Sequence, residues 1–245
     1  MIDEAVQSLL DGFVTSVRRI ADVEAIWLHG SLALGDFQPG RSDLDVVAVV
    51  SSPPPLAVAD LHRQLMAASP LASKLHCSYM LASDLADPSV RHPTFAQERY
   101  FDRPVTPVTR RELAMGNKSL YGPPPASLLP AISDAELSAF IREDLRSFWL
   151  PVTARRKPWY ADIWVDLGLV TVARAHVTLS SGDLITKRAA LGLLPGMGAP
   201  ESVVRDVARR RYGPAGAVNP FWRQRRAVLT QVFLQSAIPA VISSP

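Results

Sequence analysis

The feature that most constrains the fold of this 245-residue chain is a short apolar run with two acids at its start. Residues 44–50, Leu-Asp-Val-Val-Ala-Val-Val, are rich in β-branched side chains and predict a buried strand. Asp43 and Asp45 stand at its beginning, and because residues i and i+2 of a strand point the same way, both carboxylates share one face. Paired carboxylates are good ligands for a hard cation such as magnesium. The run therefore predicts a sheet with a metal site at one edge.

A glycine–serine pair precedes this run and predicts a phosphate-binding turn. Residues 25–29 form another apolar strand, which ends at Gly30 and Ser31. A helix that opens here would present free backbone N–H groups, and the Ser31 hydroxyl can also bind phosphate. The glycine–serine turn and the acid pair are each a weak signal alone. A Gly-Ser turn is common, and an Asp-x-Asp pair is mostly a solvated strand edge or a turn. Their occurrence together, beside a strand that otherwise excludes charge, favours a catalytic site.

Apolar periodicity predicts an α/β organisation for the first part of the chain. Helical spacing runs from Ile2 to Ile20 and again over residues 56–68, and residues 74–80 predict a third strand. Between residues 87 and 130 prolines accumulate and the periodicity weakens, which predicts an irregular connecting region that lines a cleft.

Helical spacing dominates the rest of the chain. A Ser133 cap with Glu136 three residues later predicts the start of the first helix. The predicted helices cover residues 137–150, 164–180, 184–194, 201–212 and 220–241. We therefore expect an α/β domain over residues 1–130 and an all-α domain over residues 131–245.

Composition and charge exclude several classes of protein. The net charge of +3, from 26 Lys and Arg against 23 Asp and Glu, is too small for a surface that coats nucleic acid. The single cysteine, Cys77, excludes an intrachain disulfide and is typical of a reducing compartment. The first residues are acidic where a signal peptide is basic, and polar residues interrupt the longest apolar tail, 228–242. We therefore expect a cytoplasmic protein without membrane spans.

The Gly30-Ser31 turn followed by Asp43-Leu44-Asp45 resembles the signature of the nucleotidyltransferase superfamily. Residues 120–124, Leu-Tyr-Gly-Pro-Pro, and the segment 170–190 narrow the resemblance to the aminoglycoside adenylyltransferases of the streptomycin and spectinomycin type. The resemblance implies a polymerase-beta-like domain with a small mixed sheet, followed by a C-terminal helical bundle. It also implies transfer of AMP from ATP to a hydroxyl of a small acceptor, an aminoglycoside foremost, and hence antibiotic resistance.

The resemblance further implies roles for individual residues. Asp43 and Asp45 would be catalytic and would hold Mg²⁺ on the triphosphate of ATP. The cations that match family positions have a chemical reason to be there, because ATP with its metal still carries negative charge. The residues implied to bind the nucleotide are Gly30, Ser31, Ser42, Arg174, Lys187 and Tyr212.

His76 marks a departure from the family pattern. The family carries a third carboxylate, its general base, on the strand after the acid pair, and His76 occupies the matching position here. Imidazole can accept a hydroxyl proton at neutral pH, so we predict that His76 is the catalytic base, with Asp84 as the fallback. A histidine packed against the core is the alternative of equal weight.

Two other functions are open at this stage. The missing third acid suits a nucleotide-binding regulator or an inactive relative. The arginines at 209–211 and 223–226, with aromatic neighbours, suit an RNA end-modifying enzyme, although a solvated helix face explains them more simply. Asp162 and Asp166 are a modest supply of acidic groups for a polycationic acceptor. The acceptor and the oligomeric state stay open.

Overall fold

The computed structural model describes residues 3–52, 55–214, 216 and 219–244. The chain divides into two compact units, Met1–Ile132 and Ser133–Pro245. The N-terminal unit contains a mixed sheet with helices, and the described part of the C-terminal unit contains helices without strands. The structure thus confirms the predicted fold class, α/β plus all-α.

The N-terminal unit is built on one sheet of six strands. The strands are β1 (Val23–His29), β2 (Leu44–Val50), β3 (Leu75–Leu81), β4 (Arg91–Ala96), β5 (Arg99–Pro104) and β6 (Lys118–Tyr121). The helices are α1 (Glu4–Ile20), α2 (Gly30–Ala33), α3 (Pro55–Ala68), α4 (Pro107–Gly116) and α5 (Pro125–Leu128). The strand order is β5-β4-β3-β2-β1-β6, and only β2 and β3 run parallel. The crossover that a parallel pair requires is supplied by α3.

Alternation of side chains gives the sheet two faces with separate cores. Residues such as Leu28 and Val46 pack with α1 and α3 on one face. Trp27 and Val47 belong to the other face, together with Leu113 of α4. The buried indole of Trp27 donates a hydrogen bond to the carbonyl of Pro123 at 2.8 Å, so this tryptophan has a structural role.

A buried histidine completes the contact between α3 and the sheet. The ring of His62 stacks on Phe95, with ring centroids 4.0 Å apart, and its Nε2 lies 2.9 Å from the Tyr79 hydroxyl. Burial, with a smaller effect of His76, lowers the pKa of His62 to about 3. The imidazole is therefore neutral at pH 7 and serves as a packing group.

The prediction of an irregular region between residues 87 and 130 is wrong, because this segment contains β4, β5, α4, β6 and α5. Its prolines stand where regular elements tolerate them. Pro104 ends the edge strand β5, and Pro93 lies beyond the paired part of β3 and β4. Pro107 occupies the first turn of α4, whose Thr106 cap accepts the N–H of Thr109. The first predicted helix begins at Glu4, and Ile2 lies outside the described residues.

The C-terminal unit consists of helices in its described part. They are α6 (Asp134–Asp144), α7 (Leu150–Thr153), α8 (Asp162–Ser181), α9 (Lys187–Leu193), α10 (Glu201–Tyr212) and α11 (Pro220–Ser243). The Ser133–Glu136 capping box predicted from the sequence is present at the start of α6. A π-helical segment, Leu145–Trp149, joins α6 to α7. The two longest helices, α8 and α11, pack against each other.

Buried ion pairs connect α8, α10 and α11. Arg226 is fully buried, with Nη1 2.9 Å from Asp206 Oδ2 and Nη2 2.5 Å from Asp162 Oδ1. Arg210 pairs with both Asp206 and Asp166. Burial raises the pKa of Asp166 against the opposing effect of Arg210, whereas at Asp206 the arginines outweigh burial and lower the pKa. Asp162 and Asp166 are thus already paired with arginines, which corrects their expected role as acidic groups for a cationic acceptor.

The helices α8 and α11 are long and apolar enough to cross a membrane, judged by length and composition alone. The expectation of a protein without membrane spans therefore stays a prediction. About half of the most apolar stretch of each helix, 56% in α8 and 44% in α11, is buried inside the structure. Core helices show the same composition, and here both helices also contribute to the buried ion pairs around Arg226.

We expect Arg226→Met to lower the free energy of unfolding by about 3 kcal/mol, because it leaves buried carboxylates with fewer partners. Arg225→Met is the matched control, since Arg225 is the exposed neighbour on the same helix and should change stability by less than about 0.5 kcal/mol. Urea unfolding followed by circular dichroism measures both variants. Equal stability of the two would contradict a structural role for the ion pairs.

Candidate active site

Three polar side chains form a row across the sheet, one on each of β1, β2 and β3. His29 is the register partner of Asp45 in the antiparallel ladder, and Asp45 is the partner of His76 in the parallel ladder. Because side chains alternate along a strand, the row lies on the sheet face of Trp27 and Val47. The topology therefore brings Asp45 and His76, both predicted from the sequence, to one edge of the sheet.

The two predicted acids lie around the imidazole of His76. Asp43 Oδ1 is 3.9 Å from Nε2 of the ring, and Asp45 Oδ1 is 3.6 Å from Nδ1. The ammonium group of Lys74 lies 3.6 Å from Asp43 Oδ1, a contact that the sequence analysis did not anticipate. The side chains of Asp43 and Asp45 are 41% and 27% exposed, so both carboxylates are accessible to a ligand.

His76 is also held by the turn between β4 and β5. Its Nε2 accepts a hydrogen bond from the backbone N–H of Gln97 at 3.2 Å, and its side chain is only 9% exposed. Gln97 and Glu98, the two residues of the turn, have φ of 52° and 59°. Two positive φ values are typical of type I′ hairpin turns, which usually contain Asn or Gly. Since neither residue type occurs here, the sequence carries no signal for this turn.

The phosphate-binding turn predicted at Gly30 opens helix α2. Gly30 has φ of +67°, and a Cβ atom at this position would lie 2.5 Å from Oδ2 of Asp45. Only glycine lets the backbone pass so close to the carboxylate in this conformation. Ser31 follows in the first turn of the helix and is partly exposed. The turn and the acid pair are therefore in direct contact.

Ser42 stabilises the loop that leads into the acid pair. Its Oγ accepts the backbone N–H of Gln38 at 3.0 Å, and its own N–H donates to the Gln38 carbonyl at 2.9 Å. The hydroxyl proton of Ser42 can still be donated to a ligand. The loop thus positions Ser42 directly before Asp43.

His29, at the other end of the row, has a structural partner. Its Nδ1 lies 3.4 Å from Oε2 of Glu112 on α4, and the two side chains are 10% and 9% exposed. This contact gives His29 a structural role. Glu112 was missed by sequence reasoning, because no motif links it to a strand more than 80 residues earlier.

Asp84, the fallback base, lies beyond the far end of β3. His76 is near the start of this strand, and a strand extends by about 3.3 Å per residue, so Asp84 is roughly 20 Å away. The Asp84 carboxylate accepts a hydrogen bond from the Ser83 hydroxyl at 2.8 Å. The fallback assignment is therefore wrong for a site centred on Asp45.

The acid pair fits a cation that binds together with a phosphate group. Magnesium usually takes one or two protein carboxylates and completes its shell with water and substrate phosphates. Among the residues that the structure describes, no group of three His, Cys, Asp or Glu side chains could hold a metal ion. Asp43 and Asp45 thus supply two oxygen donors of an open site, next to a turn suited to phosphate.

The three predicted nucleotide-binding residues of the C-terminal unit stand on three helices. Arg174 is on α8, Lys187 begins α9 and Tyr212 ends α10. The guanidinium of Arg188 lies 3.9 Å from the centre of the Tyr212 ring, so the start of α9 contacts the end of α10. Lys187 is therefore close to Tyr212 within this unit, and the binding role of all three stays a prediction.

Residues 10–80 match the nucleotidyltransferase domain family. The matched segment contains the Gly30 turn, the acid pair and most of β3 with His76. The N-terminal unit therefore contains a segment that matches a nucleotidyltransferase domain, and this match supports the prediction of an enzyme of this class.

The fold of the chain is similar to that of a particular adenyltransferase. The similar structure is that of the spectinomycin adenyltransferase AAD(9) from Enterococcus faecialis, which was crystallised with ATP and spectinomycin. The TM-score is 0.69 at 15% identity, over 93% of this chain and 98% of that chain. A comparison with curated protein sequences finds no match. The predicted resemblance to the aminoglycoside adenylyltransferases is thus confirmed at the level of the fold.

We expect Gly30→Ala to weaken binding of Mg²⁺ and ATP by at least about tenfold, because the added Cβ would displace the Asp45 carboxylate. Gly35→Ala is the matched control. Gly35 also has positive φ, +76°, but its Cβ would meet nothing within 4 Å. Both variants share a backbone cost of roughly 1 kcal/mol, so their difference isolates the contact with Asp45. Calorimetric titration that finds equal affinities in the two variants would contradict the assignment.

Proposed function

We propose that the chain transfers AMP from ATP to a hydroxyl of a small acceptor, with Asp43 and Asp45 as the ligands of Mg²⁺. The observation that carries the proposal is the contact of Asp45 with Gly30, which puts a carboxylate beside the backbone of a phosphate-binding turn. A divalent cation bound to these carboxylates would neutralise charge on the triphosphate as pyrophosphate leaves. The nucleotidyltransferase domain over residues 10–80 supports the same reaction class.

The residues around the turn would bind and orient the triphosphate. The backbone N–H groups at Gly30 and Ser31 would donate to phosphate oxygens, together with the hydroxyls of Ser31 and Ser42. Arg174 and Lys187 would add charge-assisted hydrogen bonds, and Tyr212 would contact the nucleotide as well.

An aminoglycoside is the leading candidate for the acceptor. The support is the similar fold of an enzyme solved with ATP and spectinomycin. Modification of such a compound would confer antibiotic resistance. Since Asp162 and Asp166 are paired with arginines, the acidic groups that bind a cationic acceptor would have to be other carboxylates.

The ion pairs of the C-terminal unit favour a small acceptor over RNA. Of the arginines that suggested RNA binding, Arg226 is buried and Arg210 is paired with two carboxylates. Arg209 lies 3.6 Å from Asp206 and is half exposed. These three arginines are therefore engaged within the unit and are less available to a phosphate backbone, whereas Arg223 and Arg225 are exposed.

We expect Asp45→Asn and Asp43→Asn each to lower AMP transfer by at least about a thousandfold with little change in melting temperature, because a cation ligand is lost. Asp60→Asn is the matched control, since Asp60 is an exposed acid on α3 that pairs only locally with Arg63. Pyrophosphate release is measured with ATP, Mg²⁺ and a panel of aminoglycosides that includes spectinomycin. Full turnover of Asp45→Asn would refute the acid pair as metal ligands.

The same panel decides between enzyme and regulator. Transfer to any member of the panel by the unmodified protein supports the proposal. Tight binding of ATP with Mg²⁺, without transfer to any acceptor, would favour a nucleotide-binding regulator.

We expect Arg174→Ala and Lys187→Ala each to weaken ATP binding by about 1–3 kcal/mol, the usual value of a charge-assisted contact with phosphate. Arg205→Ala is the control, because Arg205 is an exposed cation on α10 whose partner is Glu201 on the same helix. Isothermal titration with ATP and Mg²⁺ measures the three variants. If all three bind ATP equally well, the two cations do not bind the nucleotide.

A further inference from the structure

The imidazole of His76 is engaged at both nitrogens, which bears on the role expected for it as the base. Nε2 accepts the backbone N–H of Gln97 at 3.2 Å. Nδ1 lies 3.6 Å from Oδ1 of Asp45, and the side chain is 9% exposed. The ring is therefore bordered at Nε2 by the β4–β5 turn, with Asp43 Oδ1 at 3.9 Å from the same nitrogen, and at Nδ1 by the Asp45 carboxylate.

The hydrogen bond from Gln97 selects one tautomer of the ring. A nitrogen that accepts an N–H must carry the lone pair, so the proton of the neutral imidazole is on Nδ1. Nδ1–H then faces the carboxylate of Asp45, which it attracts. The other oxygen of that carboxylate, Oδ2, is the one that lies against Gly30. The imidazole thus helps to fix the orientation of a proposed cation ligand.

The same contacts argue against a role of His76 as the general base. A general base needs a lone pair within hydrogen-bond reach of the acceptor hydroxyl. The only lone pair of the neutral ring is already used by Gln97, and taking up a proton at Nε2 would break that hydrogen bond.

We propose that His76 is a positioning residue, which the Gln97 N–H holds as the Nδ1–H tautomer so that it orients Asp45 for the cation. The proposal deepens the proposed function and rests on Asp45 as a ligand of Mg²⁺. Groups that orient metal ligands in this way typically change metal affinity by 10- to 100-fold when they are removed. This role is an alternative to the predicted role of His76 as the base.

The variants His76→Gln and His76→Ala separate the two roles. Glutamine carries an acceptor for the Gln97 N–H and a donor for Asp45, but no basic group, whereas alanine lacks all three. A positioning role predicts that His76→Ala weakens Mn²⁺ binding in the presence of ATP by about 10- to 100-fold. His76→Gln would then keep the Mn²⁺ affinity within about threefold and, at saturating metal, the turnover within about tenfold. His92→Gln, a buried histidine on β4, is the control and should change neither quantity.

A role of His76 as the general base predicts the opposite pattern. Both His76 variants would lose turnover by about 10²–10⁴-fold at saturating metal, with Mn²⁺ affinity unchanged, and this result would overturn the proposal. Electron paramagnetic resonance of Mn²⁺ measures affinity without any acceptor, so failure of AMP transfer does not affect this test.

A long-range ¹⁵N–¹H spectrum of the unmodified protein tests the tautomer without a variant that might misfold. Nδ1–H with an acceptor Nε2 at His76 supports the proposal, and a proton on Nε2 overturns it.

Discussion

The close approach of Asp45 to Gly30 is the contact on which the site in the N-terminal unit depends. The Asp45 carboxylate would repel a phosphate that binds at the turn unless a cation lies between them, so this contact suits a protein that binds a cation and a phosphate together. The sheet enforces it, because β1 ends where β2 begins and the two strands are antiparallel neighbours. The positive φ of Gly30 then turns the chain into α2 without a side chain in the way.

The C-terminal unit buries charged side chains between its helices. Burial of Arg226 and the carboxylates around it costs desolvation energy that ion pairs offset only with good geometry. The pairs join three helices that otherwise present apolar surfaces, and apolar surfaces alone specify the register of helices weakly. The same carboxylates were candidates for acceptor binding in the sequence analysis. Their pairing shows that an acid on a helix has no defined role until its partners on other helices are known.

Structural features that depend on residues close together in the chain could be predicted from the sequence. The acid pair, the Gly30 turn and the strand over residues 44–50 follow from alternation and from the backbone freedom of glycine. Sequence reasoning failed where partners are distant. Gln97 reaches His76 from 21 residues away through a backbone N–H, which leaves no trace in residue identity. The hairpin of β4 and β5 was missed for a related reason, since its prolines are tolerated only because of where the ladder ends.

A histidine in place of the third carboxylate that the resemblance implies would change the charge balance around the proposed cation site. With a carboxylate at this position, three negative groups would repel one another in the absence of metal. Here an imidazole stands beside two carboxylates, and the ammonium of Lys74 lies 3.6 Å from Asp43. The site therefore attracts a free cation less strongly than three acids would. In the proposed reaction, the negative charge that completes a magnesium site would then come from the triphosphate, so this arrangement would favour binding of the cation together with the nucleotide.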